Sequence, residues 1–128
     1  MLLGRQKLLL SLLKVFGELS KTELMKYLFL FIQENQEYKK YYSFVPYKYG
    51  CYSFMCCQDE NYLIKNNYLI GDDGFKLNIS NFAFDNVMLE KLDNFKNKYG
   101  NLKGKDLIKY TYLKYPFYAL NSEIKNKF

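Results

Sequence analysis

Tyr68-Leu69-Ile70-Gly71-Asp72-Asp73-Gly74-Phe75-Lys76-Leu77-Asn78-Ile79 is the stretch that decides the fold. Two short runs of alternating apolar and polar residues flank an Asp-Gly pair, the combination that closes a tight antiparallel hairpin. Helical patterns precede it. Ser53 can cap a helix from Phe54 to about Asn66, because its hydroxyl can accept from a free amide of the first turn. Asn66-Asn67 then stops that helix. Further back, Ser20-Lys21-Thr22-Glu23 is a capping box, in which serine and glutamate each satisfy the other's backbone amide. It opens a helix from Lys21 to about Gln33 that buries Leu24, Tyr27, Leu28 and Phe31. Before it, Leu8, Leu9, Leu12, Leu13 and Phe16 recur at helical spacing over Gln6–Phe16, with Lys7, Ser11 and Lys14 opposite. Gly17 is free to take the positive φ that ends a helix.

Asn35–Tyr42 is polar and reads as a loop or a frayed helical end. Phe44-Val45-Pro46-Tyr47-Lys48-Tyr49-Gly50 reads as extended, since Pro46 keeps Val45 out of the helical region. Beyond the hairpin, Asp85 starts a fourth helix to about Tyr99, with Val87, Leu89, Leu92 and Phe95 as its apolar set. After Gly100-Asn101, a fifth helix over Lys105–Lys114 places Leu107, Ile108, Thr111 and Tyr112 on one side, and Pro116 ends it. Helix, helix, helix, hairpin is the order of a winged helix. The expectation is a mainly α chain with a small β-hairpin. Residues 1–84 form a winged-helix-like three-helix core, and residues 85–128 a C-terminal extension of two helices packed on it or building a dimer surface.

Composition narrows the chemistry. The chain has 128 residues and 49% hydrophobic content, enough for one core. No apolar run reaches the roughly 20 residues of a membrane span, and the N-terminal residues do not read as a signal peptide. Histidine is absent, which removes histidine-based triads and histidine-ligated metals. Cys51, Cys56 and Cys57 are an odd set without a fourth zinc ligand, and read as small buried hydrophobes in a reducing cytoplasm. The net charge of +6 favours an anionic partner, although codon bias toward A and T explains much of the lysine, asparagine, tyrosine and phenylalanine content. Asp59/Glu60 point apart on a helix, and Asp72/Asp73 are what an Asp-Gly turn prefers. Gly71-Asp72-Asp73-Gly74 lacks further calcium ligands, and Lys105 after Gly104 lacks phosphate-loop spacing. The expectation is no catalytic residue, no metal and no cofactor.

Leu24-Met25-Lys26-Tyr27-Leu28-Phe29-Leu30 resembles the LQKLLYL helix of the SocA-like domains, also called Panacea. Tyr47-Lys48-Tyr49-Gly50-Cys51-Tyr52-Ser53-Phe54 resembles that family's YxxGPfs turn, with Cys51 where the family usually has proline. Leu63–Ile70 resembles its entry into the hairpin. Leu107–Pro116 is similar to the C-terminal segment of related bacterial proteins. The resemblance covers most of the chain through short, mainly structural motifs. It implies a compact helical domain with a small β element, found in antitoxins and a proteolytic adaptor, and it carries over no catalytic residue.

Two functional expectations follow. The first is a non-catalytic protein-binding module, antitoxin-, adaptor- or inhibitor-like and of bacterial or phage type, whose partner is a toxin, protease or defence component. Its surface lies in the aromatic cluster Tyr38, Tyr41, Tyr42, Phe44, Tyr47, Tyr49, Tyr52 and Phe54. Tyr42, Phe44, Tyr47, Tyr49 and Tyr52 are the candidate contacts, since tyrosine is enriched at binding hot spots. The same rings could instead plug the side of the core, or stack on single-stranded nucleic acid beside Lys39, Lys40 and Lys48. The second expectation is a small winged-helix DNA-binding regulator with Lys48, Lys65 and Lys76 on phosphates. Against it, Asp59 and Glu60 outweigh Lys65 on the third helix, and the single arginine, Arg5, is expected far away on the first helix, which leaves no bidentate arginine contact to guanine near the third. A homodimer stays open.

Overall fold

The computed structural model describes residues 2–47, 50–71, 73–79 and 82–120. In chain order they form α1 (Gly4–Phe16), α2 (Lys21–Glu34), a 3-10 turn (Gln36–Tyr38), β1 (Val45–Tyr47), β2 (Gly50–Tyr52), α3 (Phe54–Lys65), β3 (Leu69–Gly71), β4 (Phe75–Leu77), α4 (Asn86–Tyr99), α5 (Gly104–Lys114) and a second 3-10 turn (Pro116–Ala119). The molecule is mainly helical with small antiparallel hairpins. No helix among the described residues is long and apolar enough to cross a membrane.

The helix boundaries follow local chemistry. Ser20 accepts from the Glu23 amide at 3.1 Å, and the Glu23 carboxylate accepts from the Ser20 amide at 3.1 Å. Ser53 accepts from the Cys56 amide, and Asp85 from the Val87 and Met88 amides. Gly17 ends α1 with φ at 85°, as its lack of a side chain permits.

The core sits on α1 and α2. Leu8, Leu9, Leu10, Leu12 and Leu13 are buried, as is every residue from Leu24 to Ile32. The expected polar face of α1 is therefore partly wrong: Ser11 is buried, its hydroxyl donating to the Lys7 carbonyl at 2.8 Å. Helices apolar around most of their circumference need cover on several sides. Here α4 packs on α1, and α5 packs on α2. Phe95 of α4 meets Phe16, Tyr27 and Phe31 edge-on, with centroids 6.2, 6.2 and 5.5 Å away. The buried stripe of α4 is Met88, Leu92, Phe95 and Tyr99; Val87, expected inside, is exposed. Glu34 at the end of α2 draws both C-terminal helices together. It accepts from the Tyr99 hydroxyl and from Lys98 at 3.3 Å, and Lys114 lies 3.8 Å away.

The hairpin pairs Leu69 with Leu77, Ile70 with Lys76 and Gly71 with Phe75. Phe75 also exchanges backbone hydrogen bonds with Leu19, at 2.7 and 3.1 Å, which ties the hairpin to the turn between α1 and α2. Gly74 allows that approach, because a Cβ there would stand 2.9 Å from the Leu19 carbonyl oxygen. The sequence-based expectation of a merely extended Phe44–Gly50 missed the second hairpin, in which Val45 faces Tyr52 and Tyr47 faces Gly50.

Asp59 joins α3 to α1 and to the segment before β1. Its carboxylate accepts from Arg5 Nε at 2.6 Å and Nη2 at 3.3 Å, from Gln6 Nε2 at 3.1 Å and from the Tyr42 hydroxyl at 2.8 Å. The expectation that Arg5 lies far from α3 is thereby corrected: it sits against that helix, because the buried Asp59 carboxylate needs a cation. Removing one partner of a buried ion pair leaves the others desolvated and unpaired. Asp59→Ala should cost about 3 kcal/mol in urea unfolding, whereas Lys98→Ala, at an exposed pair, should change stability by less than about 0.5 kcal/mol.

Candidate functional site

The β1–β2 hairpin and the first turn of α3 gather three rings at the surface. Tyr47 and Tyr52 have centroids 5.0 Å apart, Tyr47 and Phe54 5.5 Å, and Tyr52 and Phe54 4.9 Å. The Ser53 cap fixes where α3 begins and so where Phe54 stands. Phe54 is 55% exposed and Tyr47 38%, while Tyr52 is half-buried. Val45, opposite Tyr52 on the hairpin, and Met55, next on the helix, are exposed as well.

The remaining rings of the expected cluster divide differently. Tyr42 is 3% exposed, and its hydroxyl lies 2.8 Å from Asp59 and 3.0 Å from the Arg5 carbonyl oxygen. It is a structural clamp, which corrects its assignment as a contact residue. Burial pushes its hydroxyl far above the usual tyrosine range, so it stays protonated. Phe44 is half-buried and edge-on to Phe29 at 5.1 Å, and so plugs the core from one side. Tyr38 stacks on Phe31 at 5.5 Å. Tyr49 and Lys48 lie outside the described residues.

Lys65 at the end of α3 and Lys76 on β4 are exposed. The carboxylates that weighed against a polyanion at α3 point inward: Asp59 is 3% exposed and Glu60 4%. Met55, Gln58, Tyr62 and Lys65 recur along the solvent face with helical spacing, so that face carries a positive charge and no carboxylate.

Tyr52 also borders a cleft of about 470 Å³. Its walls are Lys21, Met25 and Lys26 from α2, Cys51 and Tyr52 from β2, and Glu60 from α3. Lys26 is buried, and its ammonium donates to the Cys51 carbonyl at 3.3 Å; desolvation lowers its pKa. Glu60 is pushed up to about 7, chiefly by burial, while the hydrogen bond from the Cys56 thiol at 3.6 Å and the charge of Lys21 pull the other way. Tyr52 and Cys57 share a hydrogen bond at 2.8 Å, which with burial carries the tyrosine up to about 12. Burial raises all three thiols, and a protonated thiol is a weak nucleophile. Among the described residues, no three histidine, cysteine or acidic side chains converge as a metal site. The cleft thus combines two lysines, a carboxyl held above its usual range and an apolar wall.

The cleft has one signal in the sequence. Lys26 interrupts an otherwise apolar run from Leu24 to Ile32, and a charge at a core position implies a local polar purpose.

Glu60 gives a pH signature. Its folded-state pKa of about 7 exceeds the ordinary 4.5, so the folded state holds the proton more tightly. The corresponding stability is present at low pH and is lost as pH rises through about 7. Between pH 5 and pH 8.5 the wild-type chain should lose roughly 3 kcal/mol relative to Glu60→Gln, read from urea midpoints of both proteins. In comparisons with known proteins, no family model, no curated protein and no solved structure matches this chain.

Proposed function

We propose that the chain is a non-catalytic protein-binding module that docks through Tyr47, Tyr52 and Phe54. The observation that carries this reading is the exposed three-ring cluster on the hairpin and α3. Large rigid rings bury much area for little side-chain entropy, and such residues dominate binding energy at interfaces. The charge of +6 suits an acidic partner surface. Resemblance to the SocA-like domains supports an antitoxin, adaptor or inhibitor role in the cytoplasm, against a toxin, protease or defence component. The pairing of Leu19 with Phe75 supports a winged-helix-like core, since it gives the hairpin a third edge. Tyr47→Ala combined with Phe54→Ala should weaken binding of the product of a neighbouring open reading frame by at least about 30-fold. The melting temperature should stay within about 2 °C, because both rings lie at the surface and outside the core.

A DNA-binding regulator is the second reading, favoured by one observation: Asp59 and Glu60 are buried, which leaves Lys65 as the charge on the outer face of α3. Fluorescence anisotropy against duplex DNA at several salt concentrations tests it. Contacts from Lys48, Lys65 and Lys76 give a slope of about −3 in log affinity against log salt, and Lys65→Glu or Lys76→Glu lowers it by about one each. Absence of binding at low salt removes this reading.

A further inference from the structure

We infer that the protonation state of Glu60 regulates docking at the aromatic face, through a contact across the cleft that Lys21 makes only when Glu60 is ionised. This deepens the protein-binding reading and rests on it, because Tyr52 belongs both to the three-ring face and to the cleft that Glu60 lines. The surroundings of the carboxyl come first. Glu60 is 4% exposed, and the hydrogen bond it accepts comes from the Cys56 thiol, a weak donor. Among the described residues no cation stands within ion-pair distance of it. Its neighbour Asp59 is the contrast, since Arg5, Gln6 and Tyr42 all donate there. A buried carboxyl with so little compensation favours its neutral form, and burial accordingly carries Glu60 up to about 7.

Lys21 is the cation that can respond. It lines the same cleft from the first turn of α2 and is exposed. Its ammonium stands 6.0 Å from the Phe75 ring centroid, the outer limit of a cation–π contact, and an ionised carboxylate competes well for it. The other groups around Glu60 do not supply that charge. Cys56, Cys57 and Asp59 share its helix, and Asp59 is held by Arg5 of α1. Cys51 and Tyr52 face the cleft from β2, each held neutral above its ordinary range. Lys26 of α2 is engaged with the Cys51 carbonyl and the Tyr112 ring. Strand β3, which also packs on α3, brings no titratable side chain. Coupling to the rings runs along α3. Cys56 and Cys57 stand four and three residues before Glu60, on the same side of the helix. Cys57 shares a 2.8 Å hydrogen bond with the Tyr52 hydroxyl, and Tyr52 lies 5.0 Å from Tyr47 and 4.9 Å from Phe54. Ionisation therefore adds a negative charge beside the face and draws Lys21 inward. An acidic partner then binds less tightly as pH rises.

The full chain, isotope-labelled at glutamate Cδ and in its aromatic rings, is titrated by NMR across neutral pH. The Glu60 carboxyl should titrate near pH 7, and the ring resonances of Tyr52 and Phe54 should follow the same midpoint. Glu60→Gln should leave those rings still. Lys21→Gln, at an exposed position, should raise the midpoint, since the cation that favours the ionised form is gone. An acidic product of a neighbouring open reading frame should bind wild type and Glu60→Gln alike at pH 6, and wild type about fivefold more weakly at pH 8. Rings that do not titrate, a ring titration that persists in Glu60→Gln, an unmoved midpoint in Lys21→Gln, or equal binding by wild type and Glu60→Gln at pH 8 overturns the proposal. If the rings stay silent while Tyr47→Ala with Phe54→Ala still weakens partner binding, the aromatic reading survives alone. If the rings titrate but that double variant binds as wild type does, the docking reading falls, and its regulation with it.

Discussion

A carboxylate taken out of water is tolerated only when its surroundings replace the lost hydration, and Asp59 makes that demand at the junction of three segments. Arg5 and Gln6 come from α1, Tyr42 from the stretch before β1, and the acid itself from α3. Gln6 serves twice, since its amide oxygen also accepts from the Leu3 backbone at 2.9 Å and so helps to start α1. The orientation of α3 about its own axis follows from this network. With Asp59 turned in, Glu60 comes to line the cleft, and Met55, Gln58, Tyr62 and Lys65 face solvent. The polar cluster thus decides which side of α3 a partner meets.

Local signals are legible in the sequence because they act within a few residues. The Ser20–Glu23 box, the Ser53 and Asp85 caps and the Gly17 stop each depend on near neighbours. What required three dimensions was misread. Ser11 and Val87 changed sides because the covering helix, not the pattern on one helix, decides exposure. The β1–β2 hairpin escaped notice because three-residue strands with Pro46 in one of them give little alternation to count.

The candidate site was half legible. An excess of rings over residues 38–54 drew attention to the right region, but ring count does not separate a plug from a platform. Tyr42 is held because Asp59 needs a donor, and Phe44 because Phe29 offers an edge. Tyr47 and Phe54 stay out because the hairpin and the first turn of α3 carry them to the surface. Sequence shows Asp59 and Glu60 as adjacent acids on a helix. The structure separates their roles: one carboxylate is compensated by a guanidinium, the other accepts from the Cys56 thiol and shares its cleft with Lys21.

The enclosure of α1 and α2 bears on how the chain can be cut. An 84-residue piece ending before α4 has the apparent makings of an independent unit, yet it lacks Phe95, Tyr99 and Leu107, which roof the central pair. Such a fragment presents a broad oily wall to water and invites self-association. The same dependence holds during synthesis: α1 keeps one side unshielded until α4 has been made. Fusion partners and split reporters therefore belong at the chain's outer loops, not at the seam that the element order suggests.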